Sequence, residues 1–216
     1  MAGPEIRIKF SGDHASATSF PPMPNPTPTL YYDFIDPLSY LVVRELDDMA
    51  AEGRPAEELV EWHPFELRPP PTPLVTADDE SLASRWSEAR RLSEERGIVF
   101  APPRLVPWTR KAHELVLHAG EHGVAHKIRR RLFEAYLMEG ADIGRVDVLV
   151  GLAVDLGLNR TETKAVLDVD RHQDGVASLR EEAGAASVTD APTLVFEGRR
   201  LEGFHNRDRI GTLLGT

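Results

Sequence analysis

The segment TLYYDFI, residues 29–35, is rich in β-branched and aromatic side chains and runs directly into the helical pattern DPLSYLVVRELDDMAAEG. A buried strand that becomes a helix within about one residue constrains the fold more than any other feature of the chain. Asp36 is a favoured N-cap, and Pro37 suits the first helical position because its missing N–H would have no partner there. Leu38, Leu41, Val42 and Leu46 supply an apolar face, and Gly53 a stop. The stretch ELVEWHPFEL then offers a second strand, ended by the prolines of RPPPTP. Strand, helix and strand in this order form a right-handed crossover if the strands are parallel.

From about Ala77 to Asp170 the pattern is helical: DDESLASRWSEARRLSEERG, PWTRKAHELVLHAGEHG, VAHKIRRRLFEAYLMEG, RVDVLVGLAVDLGL and TETKAVLDVD, most of them closed by glycine. This reads as a bundle-like insertion or a separate helical subdomain. RHQDGVASLREEAGAASV adds a helix, PTLVFEGRRLEGF two strands turning at Glu197–Gly198, and NRDRIGTLLG a last helix capped by Asn206. Without the helical block the order is βαβ–αββα. Ahead of it, residues 1–27 form a Pro-rich extension with little to anchor it, although Ile6, Ile8 and Phe10 alternate as in a short edge strand. The expected organisation is therefore an extension over 1–27, a first part over 28–76, a helical insertion over 77–170 and a second part over 171–216.

Cysteine is absent. This excludes disulfides, thiolate metal ligands, cysteine nucleophiles and intrinsic dithiol exchange. A formal net charge of −10 argues against nonspecific partnership with nucleic acid or anionic membranes. No apolar run approaches the roughly 18 residues needed to span a bilayer, and the N-terminus lacks the apolar core of a secretory signal, so a cytoplasmic protein is expected.

In order and spacing, YYDFIDPLSYL, WHPFEL, KAHELVLHAGEHG, LFEAYLMEGADIGRVDVLVGLAVDLGL and SVTDAPTLVFEGRRLEGF resemble the DsbA-like branch of the thioredoxin superfamily. Within it they look most like the group of 2-hydroxychromene-2-carboxylate isomerases, kappa-class glutathione transferases and polyketide-pathway dithiol isomerases. The resemblance spans residues 30–214. It implies an α/β thioredoxin-like fold with a helical insertion subdomain, and an oxidoreductase or isomerase lineage. It also implies an active site where the first helix's N-terminus faces a cis-proline loop at Ala191–Pro192. Asp36 falls where redox members carry the attacking cysteine and where the transferases and isomerases carry a serine for the glutathione thiol. Ser39 falls on the second cysteine position.

A helix tip stabilises an anion, but here Asp36 brings its own carboxylate. A thiolate about 4 Å away would be repelled by roughly 4 kcal/mol at an effective dielectric of 20, which disfavours glutathione as cofactor. Capping alone accounts for Asp36 and Ser39. A sharper reading makes Asp36 a general base and Ser39 a hydrogen-bond donor, although the helix dipole should lower the Asp36 pKa. The resemblance implies ligand contacts at the helix tip (Pro37, Leu38), at Trp108 and Thr109, and at Ala191 and Pro192. Thr109 also reads as a helix cap, and His113 as an interior or surface histidine. The pattern HAGEH has the H-x-x-E-H spacing of a zinc-peptidase group and puts His118 and His122 on one helix face. Gly120 inside it, Gly123 after it and the lack of a following acidic ligand motif weigh against a metal, and none is expected.

Two functions follow. One is an enzyme binding a small organic or thiol molecule in the cleft between thioredoxin-like and helical parts, with isomerisation as the chemistry. The other is a noncatalytic module that takes a peptide or ligand on the cis-proline loop. A homodimer is implied by the resemblance alone.

Overall fold

The computed structural model describes residues 26–50, 56–101 and 104–215. Residues 1–25 of the extension, its candidate edge strand and the Gly53 stop lie outside the described residues. The first unit is β1 (Thr29–Tyr32), α1 (Pro37–Ala50), a single helical turn α2 (Ala56–Leu59) and β2 (Glu61–Pro64). β1 and β2 are parallel in the register Thr29↔Glu61, so the unit is the expected crossover. The second strand is shorter than its sequence suggests. Glu57 and Glu58 favour the first turn of a helix, and Ala56 and Leu59 bury its inner side, so α2 replaces the strand's first half.

Next come a short β3 (Val75–Thr76), α3 (Glu80–Glu94), β4 (Leu105–Val106), α4 (Arg110–Glu121), α5 (Ala125–Leu137), α6 (Val146–Asp155) and α7 (Arg160–Asp168). β3 and β4 pair antiparallel as a small separate sheet, an element the helical periodicity around them did not announce. The chain then returns through α8 (Gln173–Ala185), β5 (Thr193–Phe196), β6 (Arg199–Glu202) and α9 (Arg207–Leu214). β5 and β6 turn at Glu197 (φ 49°) and Gly198 (φ 74°), the paired positive angles that favour glycine and suit the twist of a two-residue hairpin.

The main sheet has the order β2-β1-β5-β6, with β1 at the centre and antiparallel to β5. Leu30 and Tyr32 of β1 share one buried apolar cluster with Val42 and Leu46 of α1 and with Leu115, Leu132, Phe133 and Leu149 of the helical block. Each such side chain contributes about 1.5–3 kcal/mol by leaving water, so sheet and helices stabilise one another. A smaller cluster of Leu38, Leu41, Ala89 and Leu92 holds α3 against α1. No helix among the described residues is long and apolar enough to cross a membrane.

Candidate functional site

The site is built at the tip of α1. The carboxylate of Asp36 accepts hydrogen bonds from the backbone N–H of Leu38 (3.3 Å) and of Ser39 (2.6 Å), and from the Ser39 hydroxyl (2.6 Å). The cap expected from sequence is therefore present. Both Asp36 and Ser39 are fully buried. The hydroxyl of Ser39 also accepts from the Asp33 N–H at 3.4 Å, which joins the end of β1 to the first turn of α1.

Arg85, on α3 of the helical block, is the residue that sequence reasoning missed. Its guanidinium donates to Asp36 at 3.0 Å and to the carbonyl of Ala191, and it grips Asp190 with two bonds of 2.8 and 2.6 Å. Asp190 in turn accepts the N–H of Ala191 at 2.9 Å. The Ala191–Pro192 peptide is cis. One arginine thus bridges helix tip, proline loop and helical block. The sequence signal for it was slight: a basic residue beside Trp86 on the buried stripe of an otherwise exposed helix.

This network corrects two expectations. Asp36 is not a lone negative charge at the helix tip, because Arg85 balances it. Nor does the helix dipole lower its pKa: burial pushes it up from 3.8 to about 6, outweighing Arg85 and the hydrogen bonds of Ser39.

Beside Arg85 lies a cleft of about 210 Å³, walled by Ile35, Pro37, Leu82, Trp86 and Val106, with Arg68, Arg85 and Ser81 as its polar lining. Of the residues expected to touch a ligand, Pro37 lines this cleft. Leu38 packs between α1 and α3. Trp108 donates its indole N–H to the Thr72 carbonyl at 2.8 Å, and Thr109 is buried at the start of α4 without capping it through its side chain. Behind the site Asp33 is fully buried. It accepts the N–H groups of Phe34 and Leu67, each at 2.7 Å, and lies 3.3 Å from the imidazole of His113, an interior histidine. Burial and the nearby Asp33 push the Tyr136 phenol well above its ordinary range.

A crossover unit, a hairpin return and a cis-proline loop facing the first helix tip define a thioredoxin-like fold with helices inserted. The chain belongs to the DsbA-like thioredoxin domain family, whose model matches residues 29–215. It is 29% identical over 184 residues to an uncharacterized protein of Bacillus subtilis, YwbO, covering 83% of this chain and 90% of that one. A probable DsbA oxidoreductase from Streptomyces coelicolor superposes with a TM-score of 0.69 at 19% identity, over 88% of this chain and 91% of the other. A 2-hydroxychromene-2-carboxylate isomerase does so at 0.70 and 18%, over 88% and 93%. The cytosolic disulfide reductase DsbM of Pseudomonas aeruginosa with glutathione gives 0.59 and 20%, over 88% and 93%.

Proposed function

We propose that this cysteine-less DsbA-family protein binds a compact organic ligand in the cleft between its thioredoxin-like and helical parts, and acts on it by isomerisation. The observation that carries the reading is the commitment of the groups an extended or thiol ligand would use. The N–H and C=O of Ala191 are engaged by Asp190 and Arg85, and the N–H groups of Leu38 and Ser39 by Asp36. A peptide strand or a glutathione thiolate would have to displace these contacts, whereas a small ligand in the adjoining cleft need displace none. The volume of about 210 Å³ lies below the roughly 300–1,000 Å³ of pockets for drug-sized ligands, which points to a small molecule. Apolar walls with the Arg68 guanidinium suit an aromatic or aliphatic carboxylate, Arg85 being committed to Asp36, Asp190 and Ala191.

In this reading Asp36 and Ser39 position Arg85 and do not touch the ligand. Isomerisation fits a site without sulfur because it moves protons and electron pairs within one molecule and needs no redox partner. The isomerase among the similar structures and the cytosolic reductase support an intracellular enzyme of this kind. Thermal shift of the full chain against small aromatic carboxylates, glutathione and short peptides tests the proposal. Carboxylates at about 100 times Kd should stabilise by about 2.7 kcal/mol, and Val106→Trp, which fills the cleft, should abolish the effect. Stabilisation by glutathione or peptides alone would overturn it, and peptides alone would favour the noncatalytic module.

A further inference from the structure

Far from the Asp36 site, α4 ends in three donors that neither the sheet nor the cleft uses. The helix runs unbroken through Gly120 to Glu121, and His122 is its C-cap, so the glycine within HAGEH does not disrupt the spacing. His118 is fully buried. Its Nε2 lies 3.5 Å from the Thr163 hydroxyl, while its Nδ1 has no hydrogen-bond partner among the described residues and stands 3.6 Å from the Glu121 carboxylate. Ligand atoms of His118, Glu121 and His122 all lie within 4.8 Å of one another.

A second element completes the group. α8 approaches α4 at Gly175, where a Cβ would meet the Leu117 side chain at 3.2 Å. That approach sets His172, at the N-terminus of α8, against Glu121, with its Nε2 at 3.9 Å from the carboxylate and likewise unpartnered. Donor separations of 3.6 and 3.9 Å are already close to the about 3.4 Å between neighbouring ligands of a tetrahedral ion with bonds of about 2.1 Å. His122 and Glu121 are partly exposed and can close the remaining gap by rotating, giving up long contacts to Glu162 and Arg171. The Thr163 hydroxyl is placed to hold the Nε2 side of His118, as supporting groups do behind a metal-bound imidazole.

We propose that His118, Glu121, His122 and His172 form a binding site for a divalent cation of the zinc class, clipping the end of α4 to the start of α8. Imidazoles with one carboxylate are donors suited to zinc and cobalt and a poor match for calcium or magnesium, which take oxygen ligands.

Titrating the untagged full chain, freed of metal by EDTA, with cobalt(II) and with zinc(II) tests this. One cobalt per chain, with the intense visible bands of tetrahedral coordination and a zinc-dependent rise in melting temperature, is expected. Glu121→Gln, His122→Ala and His172→Gln should each weaken binding by at least the roughly 10–100-fold that follows from disturbing a ligand's supporting shell. Glu121 and His122 are exposed, and glutamine in place of the largely covered His172 keeps a polar side chain of similar size, so the variants test binding without emptying the core around His118. Absence of stoichiometric cobalt would overturn the proposal. So would loss of binding in His122→Ala alone, with Glu121→Gln and His172→Gln unchanged, since that pattern marks a simple surface histidine pair.

Discussion

Asp36 performs two tasks in a place that opposes both. Capping and pairing with Arg85 favour the carboxylate, and complete burial favours the acid. Burial prevails, so the folded chain holds a proton up to about pH 6 that the unfolded chain releases near 3.8. Stability supplied by this group is therefore complete below about pH 4 and is lost as the pH rises through 6. The loss should amount to roughly 3 kcal/mol, at 1.36 kcal/mol per pKa unit. Urea unfolding of the wild type and Asp36→Asn between pH 4 and 7 checks it: the wild type should lose ground steadily to the nontitrating variant, and a gap independent of pH would contradict it. The cap was legible in sequence because it joins Asp36 to Leu38 and Ser39, two and three residues on. The protonation was not, because it depends on Arg85, 49 residues away, and on the walls that exclude water.

At the scale of elements, two of the buried ion pairs that tie the helical block to the thioredoxin-like part act through α1. One is the Arg85 bridge. The other lies at the far end of α1, where Glu45 takes two bonds from Arg96, just past α3, at 2.9 and 2.7 Å, and the N–H of Arg207, at the start of α9, at 2.9 Å. Glu45 is buried, so its loss leaves the half-buried Arg96 only a long charge contact with the exposed Glu95, at 3.8 Å. Glu45→Ala should cost about 3 kcal/mol in denaturant unfolding, the low end for a broken buried pair because Arg96 keeps some contact with water. Adding Arg96→Met should restore part of that, since a stranded charge costs more than an absent one. The sequence pattern announced α1, α3 and α9, and for α1 the apolar face of Leu38, Leu41, Val42 and Leu46. It was silent on β3 and β4, whose two-residue strands are too short to establish an alternation.

For the whole molecule, one apolar core runs from the central strand into the inserted helices, so the two parts should unfold together rather than as separate domains. Without cysteine the chain should reduce no insulin disulfides, and its melting temperature should be unchanged by dithiothreitol; turnover in that assay would refute the exclusion. The amino-acid sequence by itself settled the missing thiol chemistry, the order of the main elements, the caps at Asp36 and Asn206, and the hairpin turn at Glu197–Gly198. Each of these is decided by composition or by residues within a few positions of one another. Which polar group meets which was decided by tertiary structure alone: Arg85 with the Ala191 carbonyl, 106 residues apart, His172 with Glu121, and Asp33 with His113. Periodicity reports the face a side chain presents. The partner awaiting it there is set by how sheet and helices close over the shared core.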